Sequence, residues 1–261
     1  MRIKQQCERL KAEKRPALVT YTMAYDQGEQ ASAALLQALP EAGADIIEWG
    51  MPFSDPAADG PIIQAAGVRA LAQGATLKGI LACVSAFRKK NDQTPIILMG
   101  YYNPVYHYGV EDFARDAAKA GVDGLLLVDL PPEEDAQMLA QCDTHGIALI
   151  KLVTPVTDDA RLGVILPKAR GFIYYVSVAG ITGTTSASAA SIEQSVLRIR
   201  KHTHLPIMAG FGIKTPHDVS MIAPHVDGVV VGSALIQSLE TQGADAALNL
   251  VTQLRHAITP L

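Results

Sequence analysis

The feature that most constrains this chain is a rhythm. Strand-sized apolar runs alternate with helical patterns along its whole length. The runs fall at 17–22, 46–48, 95–99, 124–128, 147–153, 172–176, 206–209 and 228–231. Helical patterns separate them at 29–39, 62–72, 77–89, 110–120, 133–144, 159–168 and 192–202, and helices follow the last two strands. The segment after 99 reads as a tyrosine-rich loop. Runs such as Leu125-Leu126-Leu127-Val128 lack polar alternation, as strands do when both faces of a parallel sheet are covered. No charged or Pro/Gly-rich linker interrupts the order, so the pattern predicts parallel β/α architecture. Eight such units in 261 residues fit a single (β/α)8 TIM barrel spanning 1–261, with residues 1–14 as an additional N-terminal helix packed on it. A doubly wound open sheet is the competing fold. It calls for a G-x-G-x-x-G after the first strand, and none is there.

The second constraint is the stretch from Glu48 to Pro61. A glutamate closes the 46–48 strand, and a loop stiffened by Pro52, Pro56 and Pro61 and framed by Gly50 and Gly60 carries Asp59. Proline fixes φ and glycine permits unusual φ, so the loop is suited to one shape. Two acids on a rigid strand-to-helix loop suit acid–base chemistry on a small substrate. A polar loop with capping acids is the plainer reading of the same spacing. In a barrel, the C-terminal strand ends and the loops after them form the active face. Glu48, Met99, Tyr174, Gly210 and Gly232 then converge on one mouth. Ala209-Gly210-Phe211-Gly212 and Val231-Gly232-Ser233-Ala234 follow the last two strands, where backbone N–H groups and a helix N-terminus commonly hold phosphate. Ordinary turn glycines are the alternative.

Composition removes other classes. Apolar residues make up 49%, charged residues 18%, and the net charge is −4 with no Lys/Arg block, which argues against nucleic acid. The first fourteen residues are polar and lack the apolar core of a signal peptide, and no apolar run is long enough for a membrane span. Cys7, Cys83 and Cys142 are scattered without metal-ligand spacing, which fits a reducing cytoplasm. The histidines, among them His202 and His204 at a helix end, likewise form no metal pattern, so no metal site is expected.

The sequence Ile47-Glu48-Trp49-Gly50-Met51-Pro52-Phe53-Ser54-Asp55-Pro56 with Ala58-Asp59-Gly60-Pro61 resembles the signature of tryptophan synthase alpha chains. Tyr101-Tyr102-Asn103-Pro104, Asp129-Leu130-Pro131, the segment 177–183, Gly210-Phe211-Gly212-Ile213 and Val231-Gly232-Ser233-Ala234 extend the likeness in order along the chain. The resemblance implies retro-aldol cleavage of indole-3-glycerol phosphate to indole and D-glyceraldehyde 3-phosphate. It implies Glu48 as the proton shuttle and Asp59 as acceptor of the indole N–H. Tyr21, Met99 and Phe211 match positions lining the indole pocket, and Tyr174 matches a tyrosine that contacts substrate polar groups. Gly183, Gly212, Gly232 and Ser233 match the phosphate pocket. Thr182 matches a threonine of a closing lid, although the Gly/Thr/Ser-rich composition of 179–188 by itself favours a plain linker. No cofactor is implied in this chain. Pyridoxal phosphate is expected only in a beta-chain partner of an alpha2beta2 heterotetramer, which receives the indole through a tunnel.

Three places depart from the family pattern. Trp49 replaces a smaller aliphatic residue and is expected to point away from the lumen. Ala24-Tyr25-Asp26-Gln27-Gly28 replaces the family's Gly-Asp-Pro. Lys151 lies inside an apolar strand. There it either faces the helices and snorkels to solvent, or faces the lumen as a Schiff-base lysine. Two other functions remain open at this stage. One is a different phosphosugar barrel, which has no need of the whole Glu48–Pro61 motif. The other is an idle barrel that only binds a beta-type partner, free to lose Glu48 and Asp59.

Overall fold

The computed structural model describes residues 1–176, 189–210 and 212–258. Its strands are β1 (Ala17–Met23), β2 (Ile46–Gly50), β3 (Ile96–Gly100), β4 (Gly124–Leu127), β5 (Ala148–Leu149), β6 (Lys151–Val153), β7 (Ile173–Val176), β8 (Ile207–Gly210) and β9 (Gly228–Val231). They pair in parallel in the order β5-β4-β3-β2-β1-β9-β8-β7-β6. The two ends of that order, β5 and β6, are consecutive in the chain and separated by Ile150 alone. The ring is therefore nearly closed, and it is a TIM barrel whose fifth strand is split.

The split is the one departure from the expected strand pattern. Through Ala148 and Leu149 the chain pairs with β4, and from Lys151 it pairs with β7. At the change-over the Ile150 N–H donates to Leu125 O at 2.9 Å, while Leu149 O accepts from Arg170 N–H at 3.0 Å. Each half bonds a different neighbour, so backbone polar groups are satisfied where the ring closes.

The segment expected as a tyrosine-rich loop is instead a helix, Tyr102–Tyr108. Pro104 lies in its first turn, where a missing N–H costs nothing, and the Tyr102 N–H donates to Asp129 Oδ1 at 2.7 Å. The helix expected at 133–144 starts later, at Ala136, because Pro131 begins a turn closed by Glu134 N–H. The one expected at 159–168 ends at Ile165 and tightens into a 3-10 turn, Leu166–Lys168, at Pro167. The N-terminal helix Arg2–Ala12 buries Ile3 and Leu10 in the core. Among the described residues no single helix is long and apolar enough to cross a membrane.

Candidate active site

Alternation along the strands decides which side chains enter the lumen. On β2, Glu48 and Gly50 share a face. A Cβ added at Gly50 would sit 2.4 Å from the Tyr21 hydroxyl, and one at Gly210 would sit 2.4 Å from that of Tyr174. The two glycines thus make room for tyrosines that lean from β1 and β7 across the neighbouring strand ends. Trp49, between Glu48 and Gly50, occupies the helix side as expected and is wholly buried.

Glu48 is completely inaccessible, and neither carboxylate oxygen has a hydrogen-bond partner among the described residues. With no cation to stabilise the charged form, burial pushes its carboxyl up to about 8. Burial also raises the Tyr21 and Tyr174 hydroxyls well above their usual value, with the charge of Glu48 adding to both.

Asp59 sits at the end of the loop that β2 opens. Its N–H donates to Pro56 O at 3.0 Å, and its carbonyl accepts from Gln64 Nε2 at 2.8 Å. Tyr101, just after β3, braces the loop. Its hydroxyl accepts from Ala58 N–H at 2.9 Å and donates to the Asp59 side chain, while its ring lies 5.2 Å from that of Phe53. Burial raises Asp59 to about 6, and the Tyr101 bond opposes the rise. Near neutral pH the site therefore holds one protonated and one ionised carboxyl. Groups whose values are pushed apart in this way divide acid and base roles.

Tyr21, Asp59, Met99 and Tyr174 line one cavity of ≈ 140 Å³, and Gly212, Gly232 and Ser233 complete it from the loops after β8 and β9. Gly212 has φ of +82°, which a side chain would strain. Gly232 precedes the helix Ser233–Gln242, whose free first-turn N–H groups suit an anion. Glu48 does not line the cavity itself. The expected residues Thr182, Gly183 and Phe211 lie outside the described residues. Five lining residues are not among the expected site residues: Gly60, Ile63, Ile213, Lys214 and Val230. Alternation from Gly228 would have found Val230, and Lys214 directly continues the Gly210–Ile213 motif.

Two departures resolve. Tyr25 takes a left-handed backbone at φ +68° and buries its ring, while Asp26 grips Arg69 through two bonds of 2.5 and 3.1 Å, so the first loop is a compact turn. Lys151 does not snorkel to solvent. Ile150 points inward toward Gly124, so Lys151 faces the helices. There it is buried with its Nζ 2.5 Å from Asp135 Oδ2, and Lys168 Nζ lies 3.1 Å from the other oxygen. Oδ2 receives no aligned hydrogen bond, so the Lys151 contact is charge on charge. A wholly buried carboxylate 16 positions away in sequence gives this lysine a partner inside the protein. That position also removes it from Schiff-base chemistry in the lumen.

A TIM barrel that sets a protonated glutamate and an ionised aspartate at the C-terminal mouth, beside a small cavity with a glycine-lined wall, defines a class. It is an acid–base barrel enzyme for a small, partly apolar, anionic substrate. A family model described as tryptophan synthase alpha chain matches residues 7–258. Among solved structures, the tryptophan synthase subunit alpha of Legionella pneumophila str. Paris is 38% identical with a TM-score of 0.91, covering 98% of this chain and 97% of that one. An aminoacrylate-bound tryptophan synthase from M. tuberculosis is 35% identical with a TM-score of 0.90, covering 99% of each chain. The chain belongs to the tryptophan synthase alpha chain family.

Proposed function

We propose that this chain cleaves indole-3-glycerol phosphate to indole and D-glyceraldehyde 3-phosphate and passes the indole to a beta chain in an alpha2beta2 assembly. The protonated Glu48 gives its proton to indole C3, which places positive charge on the ring nitrogen. The Asp59 carboxylate accepts the N–H bond and stabilises that cation. Glu48, now ionised, takes the proton of the hydroxyl on the carbon attached to C3. The bond between C3 and that carbon breaks, its electron pair returns to the ring, and the carbon leaves as an aldehyde. Glu48 ends protonated, as it began. The ring nitrogen is the electron sink, so the step needs no cofactor in this chain, and pyridoxal phosphate belongs to the beta partner.

Tyr21, Met99 and Phe211 pack the indole, and Tyr174 meets the polar part of the substrate. Gly183, Gly212, Gly232 and Ser233 take the phosphate, and Thr182 belongs to the lid. The three unpaired cysteines support a cytoplasmic setting. The observation that carries the proposal is the buried Glu48, without a hydrogen-bond partner among the described residues and held protonated while Asp59 is ionised. The test is indole release from indole-3-glycerol phosphate, with and without a beta chain. Activity that survives in both Glu48→Gln and Asp59→Asn would overturn the mechanism. No indole even with a beta chain present would overturn the function.

A further inference from the structure

Lys214 is the one cation among the described residues that line the cavity. It shares that lining with Gly212, Gly232 and Ser233, which come from the loops after the adjacent strands β8 and β9. Its backbone is fixed. The Lys214 N–H donates to Asp218 Oδ2 at 3.0 Å, the Thr215 N–H donates to the same oxygen at 2.9 Å, and the Asp218 N–H returns a bond to the Thr215 hydroxyl. This capping box locks the chain where it enters the helix Pro216–Ile222. The side chain, by contrast, makes no ion pair with any described residue. Lys214 also borders an outer groove of ≈ 420 Å³ with Ser238, Thr241 and Gln253, and no carboxylate lines that groove. A long cationic side chain therefore stands between two spaces without an ion-pair partner among the described residues.

The cavity needs such a charge. Asp59 lines it as an anion, and a phosphate monoester adds a charge of about −1.5 to −2 at neutral pH. The helix Ser233–Gln242 offers only about half a positive charge at its N-terminus. Backbone amides alone leave a substrate of this kind under-compensated.

Resting on the proposed function, we propose that Lys214 determines phosphate binding, swinging from the outer groove to form a charge-assisted hydrogen bond with the substrate phosphate. Its fixed backbone means that only the side chain loses freedom on binding.

The test compares the full chain with Lys214→Gln and Lys214→Arg in two assays. In the first, indole release, Lys214→Gln raises KM roughly tenfold or more and leaves kcat within about twofold, as loss of one charged hydrogen bond predicts. Lys214→Arg restores most of the loss. Raising salt from about 0.01 M to 1 M weakens substrate binding by the wild type much more than by Lys214→Gln. The second assay is calorimetric titration with inorganic phosphate, which needs no turnover, and there Lys214→Gln binds roughly tenfold more weakly. Unchanged KM and unchanged phosphate affinity in Lys214→Gln would overturn the proposal. A wild type that binds phosphate through Lys214 but releases no indole would instead sink the proposed reaction and leave this inference standing.

Discussion

The two ends of the barrel treat carboxylates in opposite ways. At the N-terminal strand ends, Asp45, Asp123 and Asp227 immediately precede β2, β4 and β9 and repeat one arrangement. Each donates its N–H to a neighbouring chain carbonyl and accepts that same residue's N–H on its carboxylate, with Leu18, Ile96 and Ile207 as partners. Each is also paired with an arginine. Arg15 reaches Asp45 at 2.7 and 2.9 Å, Arg88 reaches Asp123 at 2.5 Å, and Arg200 reaches Asp227 at 3.0 Å. At the C-terminal ends, Glu48 has no hydrogen-bond partner among the described residues, and there Asp59 meets a phenol and its own loop. Charge at one end is satisfied and holds the strands together. At the other, Asp26 is likewise held by Arg69, but the two carboxyls of the site are left without a cation among the described residues, so the proton can move. This division matches the general split in such barrels between a stabilising bottom and a reactive top.

The largest effect expected is on catalysis. Glu48→Gln keeps the shape but removes the proton, and indole release should fall by roughly 10²–10⁴. Its thermal midpoint should hold or rise, because no bond to a described residue is lost and a buried ionisable group disappears. A fall in both activity and midpoint would mean that Glu48 is a structural residue after all.

Asp123→Ala tests the other end. It leaves the nearly buried Arg88 without its counter-charge and frees the Ile96 N–H, so stability should drop by about 3–5 kcal/mol, read from denaturant midpoints. The activity of the molecules still folded should change little. Asp227 is 37% exposed against 4% for Asp123, so Asp227→Ala should cost clearly less. Equal losses at the two positions would show that the repeat is decorative.

The pH response should separate the ends as well. Glu48 is raised from 4.5 to about 8, so between those values the folded chain binds more protons than the unfolded one. Stability from this group is complete below about 4.5 and is lost as pH climbs through 8. Asp59, raised from 3.8 to about 6, adds a smaller term of the same sign at lower pH. Unfolding titrations from pH 5 to 9 should therefore slope downward from this cause in the wild type and flatten in Glu48→Gln. If Glu48 must start protonated and Asp59 ionised, kcat/KM should rise through about 6 and fall through about 8.

What the sequence made legible was local or periodic. The strand rhythm, the Glu48–Pro61 loop and the glycines after the last strands are contiguous stretches whose residue types carry their own geometry. What stayed hidden depends on partners distant in sequence. The residues around Lys151 suggest a snorkelling or a lumen-facing side chain, because nothing near it in the chain points to Asp135. The arginine partners of Asp45, Asp123 and Asp227 lie 27 to 35 positions away. The first-turn proline and aromatic run of Tyr102–Tyr108 resemble a helix breaker, and the Asp129 carboxylate that receives the helix's first N–H lies 27 positions away. The halving of the fifth strand follows from ring closure, which no window of residues contains.

Tyr101 gives the smallest and most discriminating test, because it belongs to neither end's pattern. It is 42 positions from Asp59 in sequence, yet it holds both the Ala58 N–H and the Asp59 side chain. Tyr101→Phe keeps the ring packed on Phe53 and removes only the hydroxyl. Loss of one ordinary hydrogen bond, worth roughly 0.5–1.5 kcal/mol, predicts a two- to tenfold fall in kcat/KM. The Tyr101 bond lowers the Asp59 value, so without it the acidic limb of the activity profile should move to higher pH while the limb near 8 stays in place. A uniform fall with both limbs unmoved would show that Tyr101 merely packs the loop. A shift of the acidic limb alone would show that this phenol tunes the one carboxylate the mouth keeps ionised.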